Sequence, residues 1–141
     1  MSGICGIVRF GSDPNGLVEI SRMTSAMSYR GPDGIGHWRD PSVALGSCML
    51  RTTEEAEHES QPLQSSDGST VLVIDGTLWN GPELRKDLVR AGIRLRSVAD
   101  SELVLRAYEI WGQCCLSRLD GDFAFALYDR RRREVFCARD R

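Results

Sequence analysis

The sequence is short of several things, and each shortage excludes a class. Lysine is almost missing: 17 of the 18 basic residues are arginine and Lys86 is the exception, a composition bias without functional content. There is no basic excess. The net charge is −2 and the pI about 5.7, which excludes a general polyanion binder and leaves nucleic acid out of the expected partners. The one basic run, Arg130 to Arg133, is flanked by Asp129 and Glu134 and is expected to be a solvated loop. No apolar stretch approaches the roughly 20 residues of a membrane span, and Met1 to Phe10 lacks the charged start and long apolar core of a signal peptide. Histidine is scarce. His37 and His58 lie far apart with no ligand partners at metal spacing, so both are expected at the surface or in packing. The five cysteines (Cys5, Cys48, Cys114, Cys115, Cys137) contain no C-x-x-C, which argues against zinc. Adjacent Cys114 and Cys115 are badly placed to bridge. A reduced, cytoplasmic protein with buried thiols is the simplest expectation. No glycine-rich phosphate loop is present, so this chain is not expected to bind ATP or any other cofactor itself.

What remains is an ordinary soluble composition over 141 residues, 41% hydrophobic and 27% charged. That length is one domain and can bury about two-thirds of its unfolded surface. Ile4 to Phe10 predicts a strand. Leu17, Ile20, Met23 and Met27 recur at helical spacing and predict a helix to about Tyr29. Arg30-Gly31-Pro32-Asp33-Gly34 has turn chemistry. Ile35–Arg39 and Val43–Leu50 predict two short strands, followed by a long polar connection from Arg51 to Ser69. Thr70 to Ile74 is a continuous β-branched run that predicts a strand buried on both faces. Asn80 is placed to cap a helix that Gly92 ends. Ile93 to Ser97 reads as a strand. Asp100 is placed to cap a helix with Leu103, Ala107, Ile110 and Trp111 on one face, stopped by Gly112. Phe123, Phe125 and Leu127 alternate, Val135 to Ala138 answers them, and the two predict a hairpin around Arg130 to Arg133. Trp79 and Trp111 are expected in the core. Seven strands and three helices in mixed order predict two sheets covered by helices, an α+β fold.

Seven ordered blocks carry a resemblance. They are Ser2-Gly3-Ile4-Cys5-Gly6-Ile7-Val8, Tyr29-Arg30-Gly31-Pro32-Asp33-Gly34, Ala44-Leu45-Gly46, Gln61-Pro62-Leu63, Asp75-Gly76-Thr77-Leu78-Trp79-Asn80, Leu119 to Ala126 and Ala138-Arg139-Asp140-Arg141. In this order the chain resembles the N-terminal glutaminase domain of the asparagine synthetase family, the class II glutamine amidotransferases. The resemblance covers residues 1–141 as a single domain and implies an N-terminal-nucleophile αββα sandwich. It also implies that the family's domain runs on past Arg141 into further strands and a synthetase domain, so the chain is expected to be a truncated or partial domain.

The same resemblance assigns roles to a few positions. Active members lose Met1 and use a Cys at position 2, whose own α-amine is the base; such an amine titrates near 7.7–8. Here the position holds Ser2, a hydroxyl that needs stronger activation than a thiol. Cys5 is a poor substitute, because the Gly expected four residues after the nucleophile exists as Gly6 only in the Ser2 register. At Met49 the family has an Arg that grips the glutamine carboxylate, a contact of about 1.5–3 kcal/mol. At Asp75 it has an Asn which, with Gly76, forms the oxyanion hole. An ionised Asp has no hydrogen to donate, and losing one such donor costs about 10²–10³ in rate. At Thr77 it has a Glu that helps hold the substrate ammonium. Asp100 matches the acidic residue that also binds that ammonium, and a helix N-cap explains it equally well. No metal is implied in this domain.

Four altered positions imply a glutaminase domain that has lost glutamine hydrolysis and kept its fold. In the family it would be joined to a C-terminal synthetase domain that adenylates a carboxylate with ATP and Mg²⁺. Glutamine is dispensable when the attacking nitrogen is already on the substrate, as in β-lactam and lasso-peptide macrolactam synthetases. Met49-Leu50-Arg51-Thr52-Thr53-Glu54 with Gln61-Pro62-Leu63 is most similar to the lasso-peptide cyclases. That similarity implies a peptide precursor and its leader-processing proteins as partners. Two alternatives stand beside it: a live glutaminase supplying ammonia to an asparagine synthetase, and a non-enzymatic interaction module.

Overall fold

A computed structural model describes residues 2–9, 16–52 and 59–141. Two antiparallel sheets form its centre. The first contains β1 (Gly3–Val8), β2 (Gly34–Arg39) and β3 (Val43–Met49) in the order β1-β3-β2. The second contains β4 (Leu63–Gln64), β5 (Thr70–Leu78), β6 (Gly121–Asp129) and β7 (Glu134–Arg139) in chain order. Helix α1 (Gly16–Ala26) lies on the first sheet. Helix α3 (Asp100–Trp111) lies on the second, with α2 (Gly81–Arg90) beside it. The layers therefore run helix, sheet, sheet, helix: an αββα sandwich.

The continuous apolar run of β5 follows from this layering. Successive side chains of a strand point to opposite faces, and both faces of β5 are covered. Val71 and Val73 join Val43, Leu45 and Tyr128 between the sheets. Leu72 and Ile74 join Leu103, Val104, Phe125 and Leu127 under the helices. The hairpin forms as expected around residues 130–133, and Gly112 ends α3 with φ 56°.

Several expectations need correction. Residues 93–97 form no strand: the Arg96 N–H goes to Glu102 Oε1 rather than to a neighbouring strand, while Ile93 and Leu95 still pack on the core. The second sheet instead gains the two-residue β4. Helix α1 stops at Ala26, before a 3-10 turn over Ser28–Arg30, and it turns Ile20 and Thr24 inward while Met23 is exposed. Helix α3 is buried along Ser101–Tyr108, because its two charged residues there, Glu102 and Arg106, pair with each other at 2.9 Å. Trp79 is 63% exposed, since it leaves the end of β5 rather than entering a core. Trp111 packs at the core edge under the Arg118 guanidinium. All five cysteines are free, but Cys114 and Cys137 are exposed rather than buried. Exposed His37 meets Thr24 Oγ1 at 2.6 Å, and His58 lies outside the described residues. Among the described residues no helix is long and apolar enough to cross a membrane.

Candidate functional site

One cleft of about 1130 Å³ opens where the ends of the two sheets meet, and its lining includes Ser2, Met49, Asp75, Gly76, Thr77 and Asp100. Strand register brings these residues together. In the first sheet Gly3 lies opposite Cys48, so Ser2 stands beside the exit of β3. There the Leu50 N–H donates to Ser2 Oγ at 3.0 Å. In the second sheet Gly76 lies opposite Phe123, which sets Asp75 at the cleft end of β5. At the cleft the two sheets are joined by a hydrogen bond: the Ser2 N–H donates to Asp75 Oδ1 at 2.9 Å, across 73 residues of sequence.

A third group fixes Ser2. Arg30 Nε donates to the Ser2 carbonyl oxygen at 3.2 Å. Arg30 is held there by the turn after α1, which lies so close to β3 that a Cβ on Gly31 would be 2.2 Å from Cys48 O. Gly76 is equally constrained. Its φ is 147°, and a Cβ would stand 2.2 Å from Asp122 O, so no other residue fits the backbone there without distortion.

Asp100 does not cap its helix. Ala99 occupies the cap position, and Asp100 Oδ2 accepts from the Leu78 N–H at 2.9 Å, tying α3 to the end of β5. Asn80 is likewise not a side-chain cap. Its amide donates to Arg118 O and accepts from the Asp120 N–H, bracing the loop before β6. Met49 is buried, whereas Thr77 is exposed on the cleft. Gln61, from the segment before β4, accepts from the Ile74 N–H at 2.7 Å.

Cys5 is not among the cleft-lining residues. It faces α1, close to where a side chain on Gly46 would lie, and its thiol is pushed up to about 11, first by burial and then by Cys48. A thiol of that kind is almost wholly protonated at neutral pH and is a poor nucleophile.

Of the groups that fix Ser2, the sequence singled out Asp75 but not Leu50 or Arg30, which act through a backbone N–H and a guanidinium nitrogen 48 and 28 residues away. It also missed Arg85, Lys86 and Arg139, which line the same cleft. The run Gly81-Pro82-Glu83 was the available signal for the first two, because it places α2 directly after the site strand. Among the described residues no group of His, Cys, Asp and Glu is arranged to hold a metal ion.

A fold that holds Ser2 at a cleft between two sheet ends has known counterparts. A family model described as a glutamine amidotransferase domain matches residues 1–141. This chain belongs to that family. The glutamine-hydrolyzing asparagine synthetase 3 of Bacillus subtilis (strain 168) is 35% identical over 144 residues, which is 98% of this chain and 23% of that protein. The glutamine-hydrolyzing asparagine synthetase 1 of the same organism is 30% identical over 121 residues, 86% of this chain and 19% of that protein. The chain thus spans less than a quarter of the length of these curated relatives. Among solved structures, the glutamine phosphoribosylpyrophosphate amidotransferase of B. subtilis, complexed with ADP and GMP, superimposes with a TM-score of 0.77 at 20% identity. The match takes in 99% of this chain and 37% of that one. At that identity the likeness is one of fold. This amidotransferase-family domain keeps the architecture, and what its cleft can do rests on the residues standing in it.

Proposed function

We propose that this domain does not hydrolyse glutamine and acts as the retained, degenerate glutaminase domain of an ATP-dependent amide-forming ligase related to the asparagine synthetases. One observation carries it. The carboxylate of Asp75 lies 2.9 Å from the Ser2 nitrogen, at the position where a glutaminase of this family needs a hydrogen-bond donor for the oxyanion. A carboxylate is acceptor-only when ionised, and it repels the negative charge that develops on an attacked carbonyl oxygen. Two further features support the reading. Met49 sets a thioether on the cleft wall where glutamine recognition calls for a guanidinium. Without that ion pair, binding weakens by roughly ten- to a hundredfold. Thr77 supplies no charge toward a substrate ammonium.

The parent would carry ATP and Mg²⁺ in a synthetase domain outside this chain. Its amine nucleophile would come from the substrate itself, which leaves the upstream cleft without a job. A lasso-peptide-type macrolactam synthetase fits that description, with a precursor peptide and leader-processing proteins as partners. The similarity of the Met49 to Thr53 and Gln61 to Leu63 segments supports this finer assignment.

The test is direct. Incubated with glutamine, the protein is expected to release no glutamate above a heat-denatured control. An amide-mimicking electrophile, here a glutamine-derived diazoketone, is expected to leave Ser2 and Cys5 unmodified by mass spectrometry. Steady glutamate release, or stoichiometric modification of Ser2, would return the domain to the working glutaminases.

A further inference from the structure

The Ser2 corner is too well built for a discarded site. Three elements converge on one residue: Asp75 of β5 on its nitrogen, Leu50 after β3 on its hydroxyl, and Arg30 of the turn after α1 on its carbonyl oxygen. We propose that, in the chain freed of Met1, Asp75 holds the Ser2 α-ammonium in a salt bridge that clamps the two sheets together and withdraws the amine from base chemistry. The proposal rests on the inactive-site reading and says what replaced the activity.

The preceding step is hydrolysis of the Met1–Ser2 peptide bond by a methionine-removing aminopeptidase. Water supplies the hydroxyl to the Met1 carboxyl and a hydrogen to the Ser2 nitrogen, and a small residue such as Ser2 suits that cleavage. The nitrogen already 2.9 Å from Asp75 Oδ1 then gains a positive charge without needing to move. A neutral N–H···carboxylate bond becomes a charge-assisted one, roughly twice as strong.

The surrounding charges fix the sign of the effect. Arg30 is the cation packed against the corner, and its Nε is directed at the Ser2 carbonyl oxygen rather than at the nitrogen. Leu50 brings no charge. The rest of the cleft sets Glu59, Asp100, Asp122 and Asp140 against Arg85, Lys86 and Arg139, a mixed field with no surplus of positive charge. Burial alone would lower the pH at which an amine titrates, whereas a carboxylate in contact raises it by about one to three units. A rise therefore reports the clamp, and a fall reports mere burial.

The experiment uses the intact chain, first weighed by mass spectrometry. Acylation by an N-hydroxysuccinimide ester is followed from pH 6 to 10, with the N-terminal peptide quantified against the Lys86 peptide as the only other amine. The clamp predicts loss of Met1 and a labelling midpoint at least one unit above the free α-amine range of about 7.7–8.0. At pH 7 that is labelling about tenfold slower or more. The variant Asp75→Asn is expected to recover the lost factor of about ten. If that variant does not fold, the wild-type chain in denaturant replaces it, with the midpoint returning to the free range. A native midpoint in or below the free range overturns the clamp, as does retained Met1 or an Asp75→Asn midpoint equal to that of the folded wild type. Glutamate release from the same samples keeps the two proposals apart. An unshifted amine without release sinks the clamp and leaves the inactive site, whereas release by the wild-type chain sinks the inactive site itself.

Discussion

The two halves of β5 obey different rules. From Thr70 to Ile74 every residue is buried, and the side chains divide between two hydrophobic cores. From Asp75 to Thr77 the same strand is part-exposed and polar, lines the cleft and reaches across to Ser2. Its hydrogen-bond ladder to β6 runs unbroken through both halves. The pairing therefore does not distinguish scaffold from site; the side chains, and the backbone at Gly76, do. Side chains at the second half can therefore change without disturbing the packing of the first.

The comparison breaks first at the buried half. Leu72 is fully buried beneath α3. Leu72→Ala removes its packing and leaves a cavity, which costs about 2–5 kcal/mol. Thermal or urea unfolding is expected to show that loss. In the folded fraction the Ser2 labelling midpoint should stay where it was, because the cavity lies away from the cleft. A moved midpoint would show that the halves are coupled.

The sequence made the buried half legible for a physical reason. A run of apolar and β-branched residues can satisfy only a strand covered on both sides, so Thr70 to Ile74 predicts its own surroundings. The hairpin at 130–133 and the stop at Gly112 are legible for a similar reason, since each is a local backbone demand. The cleft half was legible only by resemblance. Nothing near Asp75 announces a partner 73 positions earlier. Asn80 and Asp100 both looked like caps, because local chemistry favours that use, yet each side chain is drawn to a distant loop or strand instead. Residues 93–97 carried strand-forming side chains, but the neighbouring edge is taken by β4 and the carboxylate of Glu102 collects the Arg96 N–H. Trp79 failed for the same reason, since exposure at a strand end is set by what packs there and not by the residue.

A middle-sized effect is expected at the boundary between the halves and α3. Asp100→Ala removes the acceptor for the Leu78 N–H. A hydrogen bond to a charged group is worth about 1.5–3 kcal/mol, so unfolding free energy should fall by about that amount. Asp100→Asn keeps an oxygen on the same stem and should restore most of it. If both variants were as stable as the parent, this bond would be incidental to the fold.

The smallest effect sharpens the contrast most. Thr77 is exposed on the cleft, and its pairing with Asp122 is made by backbone. Thr77→Ala should therefore change stability by no more than about 0.5 kcal/mol, close to the resolution of a thermal melt. Thr77→Glu, which adds a charge at that position, should be equally quiet for folding, because the added carboxylate can stay in water. The expected pair of results, a collapse of several kcal/mol at Leu72 and near silence five residues on, would show that sequence can drift at the cleft without cost to the fold. A loss of about 2 kcal/mol at Thr77 would instead mean that the cleft half of β5 has become structural throughout, and that Asp75 is one part of a larger repair rather than a solitary clamp.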